Sequence, residues 1–428
     1  MALKLSWQIG IISQQLNHNN ISIFKEKQLM KRRDFLKSTA TIGGAVVLGV
    51  PSNNEAASEK ATIQKYKELG KTGLKMSDIS FGCGKLSSAS LIARAINRGV
   101  NYFDTSPDYG PSESILGIAV KKFKIRDRMI IASKFCNPIP YPGHLHLGSR
   151  KRDYIEAVEG SLSRLNTDYL DVCFVHAIGE EESKKSAGQR LLDENMLSAV
   201  ETLKRDGKIR FLAISSHGPQ NLEPLLLSAV KSGHYDIIMA AFNFMKFPQI
   251  PEVIQEAKKR KVGVIAMKTL AGAKDMKLNT RGESFPHAAF KWALKHPEVD
   301  GLIVTITTID QLEHYVQASG KKYTALSRDV LNRYAKLYSS EYCRTGCGDC
   351  LESCSSKVNI ATILRYQMYF QDYGMEKRAM ASYSLLEQKA DTCSTCSYAS
   401  CEKACPYGLP VALMLQKAHA QLSLSGQL

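Results

Sequence analysis

Residues 101–110 of the chain read NYFDTSPDYG, and this stretch indicates the fold class. Its apolar pair, Tyr102 and Phe103, leads into Asp104, and Tyr109 follows in a loop containing Gly and Pro. Two later segments, IIASKF and YLDVCFVHAI, carry Lys134 and His176 in comparable positions. Each polar residue closes a β-branched or aromatic run, which is typical of a buried strand that meets its loop. In a closed parallel barrel such strand ends share one rim, where that fold carries its active sites.

Eight segments of the chain have this strand pattern, and amphipathic helical segments such as SLIARAINRG and IPEVIQEAKKRK lie between them. Alternating strands and helices over about 230 residues predict a (β/α)8 TIM barrel. An open doubly wound sheet is the alternative, although no G-x-G-x-x-G motif follows any strand. The predicted strands are 79–83, 101–105, 129–134, 169–176, 209–215, 236–242, 262–267 and 300–306.

The length of the chain and its net charge exclude some classes of function. The chain has 428 residues, 44% of them hydrophobic, which is enough for a large core. Its 57 Lys and Arg residues against 41 Asp and Glu residues give a net charge of +16. The basic residues are scattered, without interleaved aromatic residues or a nucleic-acid-binding motif, so we expect no nucleic-acid partner. An anionic cofactor or a negatively charged surface accounts for the excess more simply.

The first sixty residues contain a candidate export signal. Residues 1–29 are rich in Gln and Asn and receive no role, and Met30 is a second candidate start. From Met30 the sequence MKRRDFLKSTATIGGAVVLGV places the pair Arg32 and Arg33 before a short apolar run. Residues 30–60 therefore resemble a Tat-type signal and linker, which predicts export to a periplasmic or membrane-associated location. A cytoplasmic location is the alternative.

Several segments between residues 66 and 315 form a recognisable series. They read LGKTGLKMSDISFG, FDTSPDYG, SKF, LSRLNTDYLDVCFVH and VIAMKTLAGA. In this order and at this spacing they resemble the aldo/keto reductase family. The resemblance implies a barrel over residues 61–320 and hydride transfer between a nicotinamide, NADP or NAD, and a small carbonyl or alcohol substrate. It also implies four catalytic positions, which this sequence fills with Asp104, Tyr109, Lys134 and His176.

The chemistry of these four residue types agrees with that implication. Reduction of a carbonyl needs a proton for the oxygen, and a free phenol with a pKa of about 10 is a weak acid unless a cation lies nearby. Tyr109 is therefore expected to be the acid/base, with Lys134 the cation that tunes it. Asp104 is the counter-charge for Lys134, and His176 is expected to orient the carbonyl.

The nicotinamide site departs from the family pattern. Ser215 and Ser216 follow the fifth strand, where the family usually has Ser-Asn against the carboxamide, so Ser216 departs. Met239 stands in the sixth strand where Gln is expected. Lys268 and Gln311 are the further candidate contacts to the dinucleotide. The segment around Gln311 lacks the Pro-Gly pair and the basic residues that the family usually has there. The sequence therefore does not distinguish NADP from NAD as the cofactor.

The loop at residues 137–150, NPIPYPGHLHLGSR, is expected to line the mouth of the substrate site. Its His144 and His146 are potential metal ligands, although a pair of histidines in an exposed loop more often has no such role. The three cysteines of the predicted barrel, Cys83, Cys136 and Cys173, are interpreted as small buried hydrophobic residues. Cys136 stands two residues after Lys134, near the predicted site.

Cysteine is concentrated near the C-terminus, where residues 321–428 read as a small, mostly helical domain. The chain has 11 cysteines, and most of them form two short runs in this region. Both runs resemble those of bacterial ferredoxins, which implies two 4Fe–4S clusters, or one, because the spacings are longer than usual. In two-cluster ferredoxins the last cysteine of each run serves the other cluster. Zinc is the competing interpretation. The runs are Cys343, Cys347, Cys350 and Cys354, then Cys393, Cys396, Cys401 and Cys405.

The sequence therefore predicts an oxidoreductase of the aldo/keto reductase type whose iron–sulfur domain carries single electrons to a redox partner protein or a quinone. The alternative is a non-catalytic barrel that serves as a scaffold for the electron-transfer module. Four catalytic positions filled with suitable residues argue for the enzyme, and the altered nicotinamide site argues for the scaffold.

Overall fold

The computed structural model describes residues 61–139, 141–180, 184–218, 222–245 and 250–423. These residues belong to one compact unit. Residues 1–60, which include the predicted extension and the Tat-type signal, lie outside the described residues. In the part of the chain that the structure describes, no helix is both long enough and apolar enough to cross a membrane.

Eight parallel strands form a closed barrel, which confirms the predicted (β/α)8 architecture and excludes the open doubly wound sheet. Closure occurs between β12 and β3, where Leu302 pairs with Ile79 in a parallel register. The barrel strands, in spatial order, are β12 (Gly301–Thr305), β3 (Ile79–Gly82), β4 (Tyr102–Asp104), β5 (Ile130–Lys134), β6 (Leu170–Val175), β7 (Ile209–Ser216), β8 (Ile237–Ala241) and β9 (Gly263–Met267).

Helices connect the strands and cover the outside of the barrel. Those of the barrel region are α1 (Ala89–Asn97), α2 (Ser112–Phe123), α3 (Lys151–Leu165), α4 (Lys184–Leu191), α5 (Glu194–Arg205), α6 (Leu222–Ser232), α7 (Ile250–Lys259), α8 (Phe285–Leu294) and α9 (Ile309–Val316). Several begin at side-chain caps, such as Thr308, whose hydroxyl accepts the Gln311 N–H. Gly99 and Gly207, which follow α1 and α5, adopt the positive φ that a C-terminal cap requires.

A small hairpin closes the bottom of the barrel. It consists of β1 (Tyr66–Glu68) and β2 (Lys75–Ser77), paired antiparallel around the turn that contains Gly70 and Gly73. Leu69, Leu74 and Met76 of this hairpin pack in one cluster with the inward-facing side chains of the strands, among them Tyr102 and Ile265. This inner cluster is fully buried, so the barrel interior is a packed core and not a channel.

Buried carboxylates satisfy backbone groups at the same end. Asp300 accepts the Val264 N–H at 2.9 Å, and Asp171 accepts the Ile131 N–H at 3.0 Å. Asp78 accepts the hydroxyl of Ser319 at 2.7 Å. An unpaired buried N–H would cost about 1–3 kcal/mol, so these carboxylates allow the strands to begin inside the protein. The bottom of the barrel is therefore built for stability, which leaves the opposite rim for chemistry.

The C-terminal segment is helical, as predicted, and packs on the barrel. Its helices are α10 (Ala325–Tyr338), α11 (Ile360–Gln371), α12 (Glu376–Ser384), α13 (Ser400–Lys403) and α14 (Val411–Leu422), and a two-stranded hairpin of β10 (Asn279–Thr280) and β11 (Glu283–Ser284) lies beneath α10. A turn at Gly374 separates α11 from α12.

Aromatic contacts join this segment to loops of the barrel. The rings of Tyr334 and Phe285 stack with centroids 4.0 Å apart. Tyr342 packs against Gly272, where an added Cβ would lie only 2.9 Å from the tyrosine ring. Gly272 also has a φ of +87°, so both its backbone and the close approach of Tyr342 require glycine. One hydrophobic core thus contains residues of α8, α10 and α11.

Candidate active site

The structure brings the four predicted catalytic residues together at the rim formed by the carboxyl ends of the strands. Asp104 is the last residue of β4, Lys134 is the last of β5, and His176 directly follows β6. The Lys134 ammonium donates to Asp104 Oδ1 at 2.8 Å and to the Thr105 carbonyl at 2.6 Å. It also lies 5.0 Å from the centre of the Tyr109 ring. The rings of Tyr109 and His176 are 6.0 Å apart between centroids.

The electrostatic environment keeps the proton on Tyr109. Burial, followed by the negative charges of Asp104 and Asp108, raises the pKa of the phenol well above its usual value. Asp104 neutralises much of the Lys134 charge, which was expected to make the phenol more acidic. Burial also raises the pKa of Asp104, while Lys134 lowers it. Tyr109 is thus protonated at neutral pH, which suits a proton donor better than a base.

His176 has two close neighbours that sequence reasoning did not assign to the site, Cys136 and Asp108. Its Nδ1 lies 3.1 Å from Cys136 Sγ and 3.6 Å from Asp108 Oδ2. Burial lowers the pKa of His176 and raises the pKa of the Cys136 thiol, so both side chains are neutral at neutral pH. In the tautomer that carries the ring proton on Nε2, Nδ1 accepts the thiol proton of Cys136. A neutral imidazole with an Nε2–H is the form that can donate to a carbonyl oxygen.

The loop at 137–150 covers this side of the site more closely than expected. His144 is only 2% exposed, which corrects the expectation that both histidines of this loop are exposed, whereas His146 is exposed as expected. Its ring lies 6.2 Å from that of His176, and neither of its nitrogens has a hydrogen-bond partner. Burial and the nearby Arg190 charge lower the pKa of His144 to about 3. Tyr141 of the same loop contacts His176 edge-on, with centroids 5.7 Å apart.

The four candidate nicotinamide contacts lie at separate points of the rim. Ser215 and Ser216 end β7, but Ser215 Oγ accepts the Ala177 N–H and Ser216 Oγ donates to the Ile178 carbonyl. Gln311, in the first turn of α9, accepts the backbone N–H and the hydroxyl of Thr307 through Oε1. Both serine hydroxyls are buried and already used in the loops that follow the strands.

Lys268, the fourth candidate, follows β9 in a left-handed backbone conformation with φ of 55°. Its ammonium donates to the Tyr369 hydroxyl at 3.3 Å and lies 5.0 Å from the centre of that ring. It also lies 5.6 Å from the ring centre of Tyr373. Tyrosines of the C-terminal segment therefore hold this cation at the rim, a contact that the sequence pattern of the barrel did not indicate.

Helices α11 and α12 cover one side of the site. Arg365 of α11 pairs with Glu180, which follows β6, at 2.5 Å between Nη2 and Oε1. Glu180 also lies 3.3 Å from His217, which follows β7. Burial opposes the charge of Glu180, but Arg365 and then His217 outweigh it and lower its pKa to about 2. In α12, the guanidinium of Arg378 lies 4.3 Å from the centre of the Tyr141 ring.

The first cysteine group consists of Cys343, Cys347, Cys350 and Cys405. Burial raises the pKa of Cys343, and the other three thiols raise it further. Burial, together with Cys347, Cys405 and Cys401, raises the pKa of Cys350 to about 12. Cys405, from the second run of the sequence, thus lies among the cysteines of the first run.

The second cysteine group consists of Cys354, Cys393, Cys396 and Cys401. Burial raises the pKa of Cys393 to about 11, and the other three members contribute in the same direction. A cavity of about 40 Å³ lies against all four of them. The last cysteine of each run therefore lies with the first three cysteines of the other run. Crossed ligation between two sites would require this arrangement.

Comparisons with known proteins cover the barrel. Residues 83–277 match the model of the Aldo/keto reductase family, and this match ends before the cysteine runs. L-galactose dehydrogenase of Arabidopsis thaliana is 26% identical over 291 residues, which span 59% of this chain and 88% of that protein. L-glyceraldehyde 3-phosphate reductase of Escherichia coli (strain K12) is 24% identical over 311 residues, which span 59% and 87%.

The fold agrees with these relatives. The solved holo form of an aldo-keto reductase of Bacillus halodurans superposes with a TM-score of 0.50 at 24% identity. That likeness spans 63% of this chain and 95% of the solved chain. Because the similar proteins are named as reductases and dehydrogenases, they favour an enzyme over a barrel that serves only as a scaffold.

We predict that Glu180→Gln destabilises the protein by about 3 kcal/mol, because it leaves the Arg365 charge buried without a carboxylate. Thermal and urea unfolding of the full chain measure the change. Glu256→Gln removes the partner of Arg260 on the exposed face of α7 and is expected to leave the unfolding midpoint unchanged. Adding Arg365→Met to Glu180→Gln should restore part of the loss. Equal stability of Glu180→Gln and wild type would show that the packing of α11 on the barrel does not depend on this ion pair.

Proposed function

The chain is an NAD(P)-dependent oxidoreductase whose barrel contains an aldo/keto reductase family domain, and we propose that it reduces a small carbonyl compound. The observation that carries the proposal is the buried set of Asp104, Lys134, Tyr109 and His176 on one rim. L-galactose dehydrogenase and L-glyceraldehyde 3-phosphate reductase are named for small hydroxylated compounds, which supports a small carbonyl or alcohol as the substrate.

In the proposed mechanism, each rim residue has one task. The bound nicotinamide supplies the hydride that reaches the carbonyl carbon. Tyr109 gives its proton to the carbonyl oxygen, so that hydride and proton together yield the alcohol. Lys134 and Asp104 form a nearly neutral pair that fixes the position of the Tyr109 ring. His176 donates from Nε2 to the same oxygen and orients the carbonyl while its Nδ1 is engaged with Cys136.

The residues around the rim fit a dinucleotide in part. Lys268 is a half-buried cation held over two tyrosine rings, and among the described residues no carboxylate pairs with it, so it fits a phosphate. Gln311 Oε1 is engaged, which leaves the amide N–H groups of that side chain for a ligand. Ser215 Oγ accepts one hydrogen bond and keeps its O–H to donate, and Ser216 Oγ donates one and keeps its lone pairs to accept, so both retain hydrogen-bonding capacity for the carboxamide. Titration with NADPH and with NADH, followed by fluorescence, decides between the two dinucleotides.

We predict that Tyr109→Phe lowers the rate of carbonyl reduction by about 10² to 10⁴-fold, because it removes the proton and little else. Steady-state turnover and fluorescence titration with the nicotinamide measure the rate and the binding separately, and binding should persist. Tyr66→Phe, in the hairpin at the opposite end of the barrel, is the matched control and should keep wild-type turnover. Near-normal turnover of Tyr109→Phe would contradict the proposed proton donor.

We also propose that the two cysteine groups bind two 4Fe–4S clusters. Among the described residues, no three of the eight sulfurs lie within 4.8 Å of one another. A zinc ion with four thiolates and Zn–S bonds of about 2.3 Å would hold its sulfurs about 3.8 Å apart. A 4Fe–4S cluster has four metal atoms between its thiolates, so its cysteine sulfurs lie farther apart than those around one zinc ion. The wider spacing of these cysteines therefore favours the cluster.

Such clusters supply one-electron transfer. A hydride equivalent is two electrons and one proton, so two one-electron clusters held by the two cysteine groups would together carry the electrons of one hydride equivalent to or from the nicotinamide. The external one-electron partner would be a redox protein or a quinone. The barrel residues and the cysteine groups belong to one compact unit, which supports a shared role in electron transfer.

If each cluster takes three cysteines from one run and the last cysteine of the other run, Cys405→Ala should damage the same cluster as Cys347→Ala. Iron per chain and electron paramagnetic resonance of the dithionite-reduced protein measure the loss. Both variants should lose the same signal, because Cys405 lies with the first cysteine group. Cys396→Ala is the comparison for the second cluster. If the spectrum of Cys405→Ala instead equalled that of Cys396→Ala, each run would hold its own cluster.

We further propose that residues 30–60 direct the folded protein out of the cytoplasm. Thiolates keep the geometry of a cluster only in a folded domain, so clusters inserted in the cytoplasm need a route that accepts folded protein. A twin-arginine signal provides that route. This proposal rests on the sequence, because those residues lie outside the described part of the chain.

The double variant Arg32→Lys with Arg33→Lys preserves the charge but removes the guanidinium pair that a receptor would read. We predict that it accumulates in the cytoplasm as cluster-loaded protein, which cell fractionation and immunoblotting measure. Lys31→Arg retains the pair and should be exported like wild type. An unchanged location of the double variant would reassign the enzyme to the cytoplasm.

A further inference from the structure

Three potential metal ligands meet beside the candidate catalytic residues, and they are separate from the two cysteine groups. They are Asp108, Cys136 and His176, which come from the loops after β4, β5 and β6. One ligand atom from each lies within 4.8 Å of the other two. All three side chains are buried. The barrel topology itself produces this meeting, because these loops leave neighbouring strands at the same rim.

The spacing of these atoms is within about 0.5 Å of the ligand spacing around a small tetrahedral cation. Cys136 Sγ and His176 Nδ1 are 3.1 Å apart, and His176 Nδ1 and Asp108 Oδ2 are 3.6 Å apart. Bonds of about 2.3 Å to sulfur and about 2.0–2.2 Å to nitrogen and oxygen place such ligands about 3.4–3.6 Å from one another. We propose that Asp108, Cys136 and His176 Nδ1 bind a divalent cation of the zinc class.

The donor types favour zinc over the harder cations. A thiolate and an imidazole suit Zn²⁺, whereas Mg²⁺ and Ca²⁺ prefer sites made of oxygen atoms. Two negative ligands and one neutral imidazole cancel the double positive charge, so the occupied site is neutral in its buried surroundings. Of the neighbouring cations, Lys134 is already paired with Asp104, whereas Arg190 and Arg378 add repulsion that the two negative ligands offset.

Binding forms three metal bonds, to Cys136, His176 and Asp108, and releases one proton, that of the Cys136 thiol. The Cys136 thiol, which donates to His176 Nδ1 in the free protein, releases its proton to solvent, and the sulfur bonds to the metal. The Nδ1 lone pair that had accepted the thiol proton then also bonds to the metal. The ring proton stays on Nε2, so His176 keeps the tautomer that the proposed carbonyl contact requires.

His144 provides a second observation at the same place. It is 2% exposed, and both of its ring nitrogens lack hydrogen-bond partners. Its ring lies edge-on to that of His176, with centroids 6.2 Å apart. A buried histidine without partners is costly, because each unsatisfied polar group loses its hydration without compensation. A cation at the proposed site leaves one coordination position to fill, and His144 is the nearest unengaged imidazole described there.

The test uses the full chain with its clusters in place. Zinc is added anaerobically, excess metal is removed by gel filtration, and the zinc content and the zinc K-edge X-ray absorption are measured. We expect about one zinc per chain with one sulfur and two or more nitrogen or oxygen neighbours. The zinc edge does not overlap that of iron, so the clusters do not interfere. Zinc surrounded by four sulfurs, or no retained zinc, would overturn the proposal.

Variants assign the ligands independently of catalysis. Cys136→Ser and Asp108→Asn should each weaken zinc binding by at least about 10-fold. Cys173→Ser, at a buried cysteine within β6, is the matched control and should retain the affinity of the wild type. Circular dichroism verifies that each variant is folded. Should the Cys136 or Asp108 variant not fold, the coordination measured in the wild type decides alone. An unchanged affinity in folded Cys136→Ser would exclude this site.

Discussion

Closure of the parallel barrel between β12 and β3 is the constraint on which the rest of the structure depends. Once the first and last strands pair, every barrel strand points its carboxyl end to the same rim. Asp104, Lys134 and His176 are distant in sequence, yet they meet because each ends or follows a strand in that ring. Carboxylates and the β1–β2 hairpin close the opposite end of the barrel, so these contacts are separate from the residues of the rim.

The rim is also where the two halves of the chain meet. Arg365 and Tyr369 lie one helical turn apart on α11 and contact Glu180 and Lys268 of the barrel. The same helix lies in a hydrophobic core with the first cysteine group. Residues of the barrel rim and residues proposed to hold a cluster therefore contact a common helix, and their positions are not independent.

Much of this architecture was predictable from periodicity and from residue types at strand ends. All eight predicted strands overlap the observed ones, because fully buried strands leave continuous apolar runs in the sequence. The contact of His176 with Cys136 and Asp108 was not predicted, since isolated polar residues in loops have no periodic signal. The burial of His144 was likewise missed, because only tertiary packing closes its loop over the site. Arg365 and Arg378 were missed because they come from a different segment and have no pattern within the barrel.

The pairing of Glu180 with Arg365 has a consequence for where the fold can be divided. The barrel pattern stops at Gly320, which makes that residue a natural place to cut a reductase fragment. Such a fragment would keep a buried carboxylate at its rim but lose the guanidinium that neutralises it, and Lys268 would lose its tyrosines. A cut at this boundary would therefore leave the rim of the barrel incomplete. In this protein the smallest unit with a complete rim is the barrel together with its C-terminal helices.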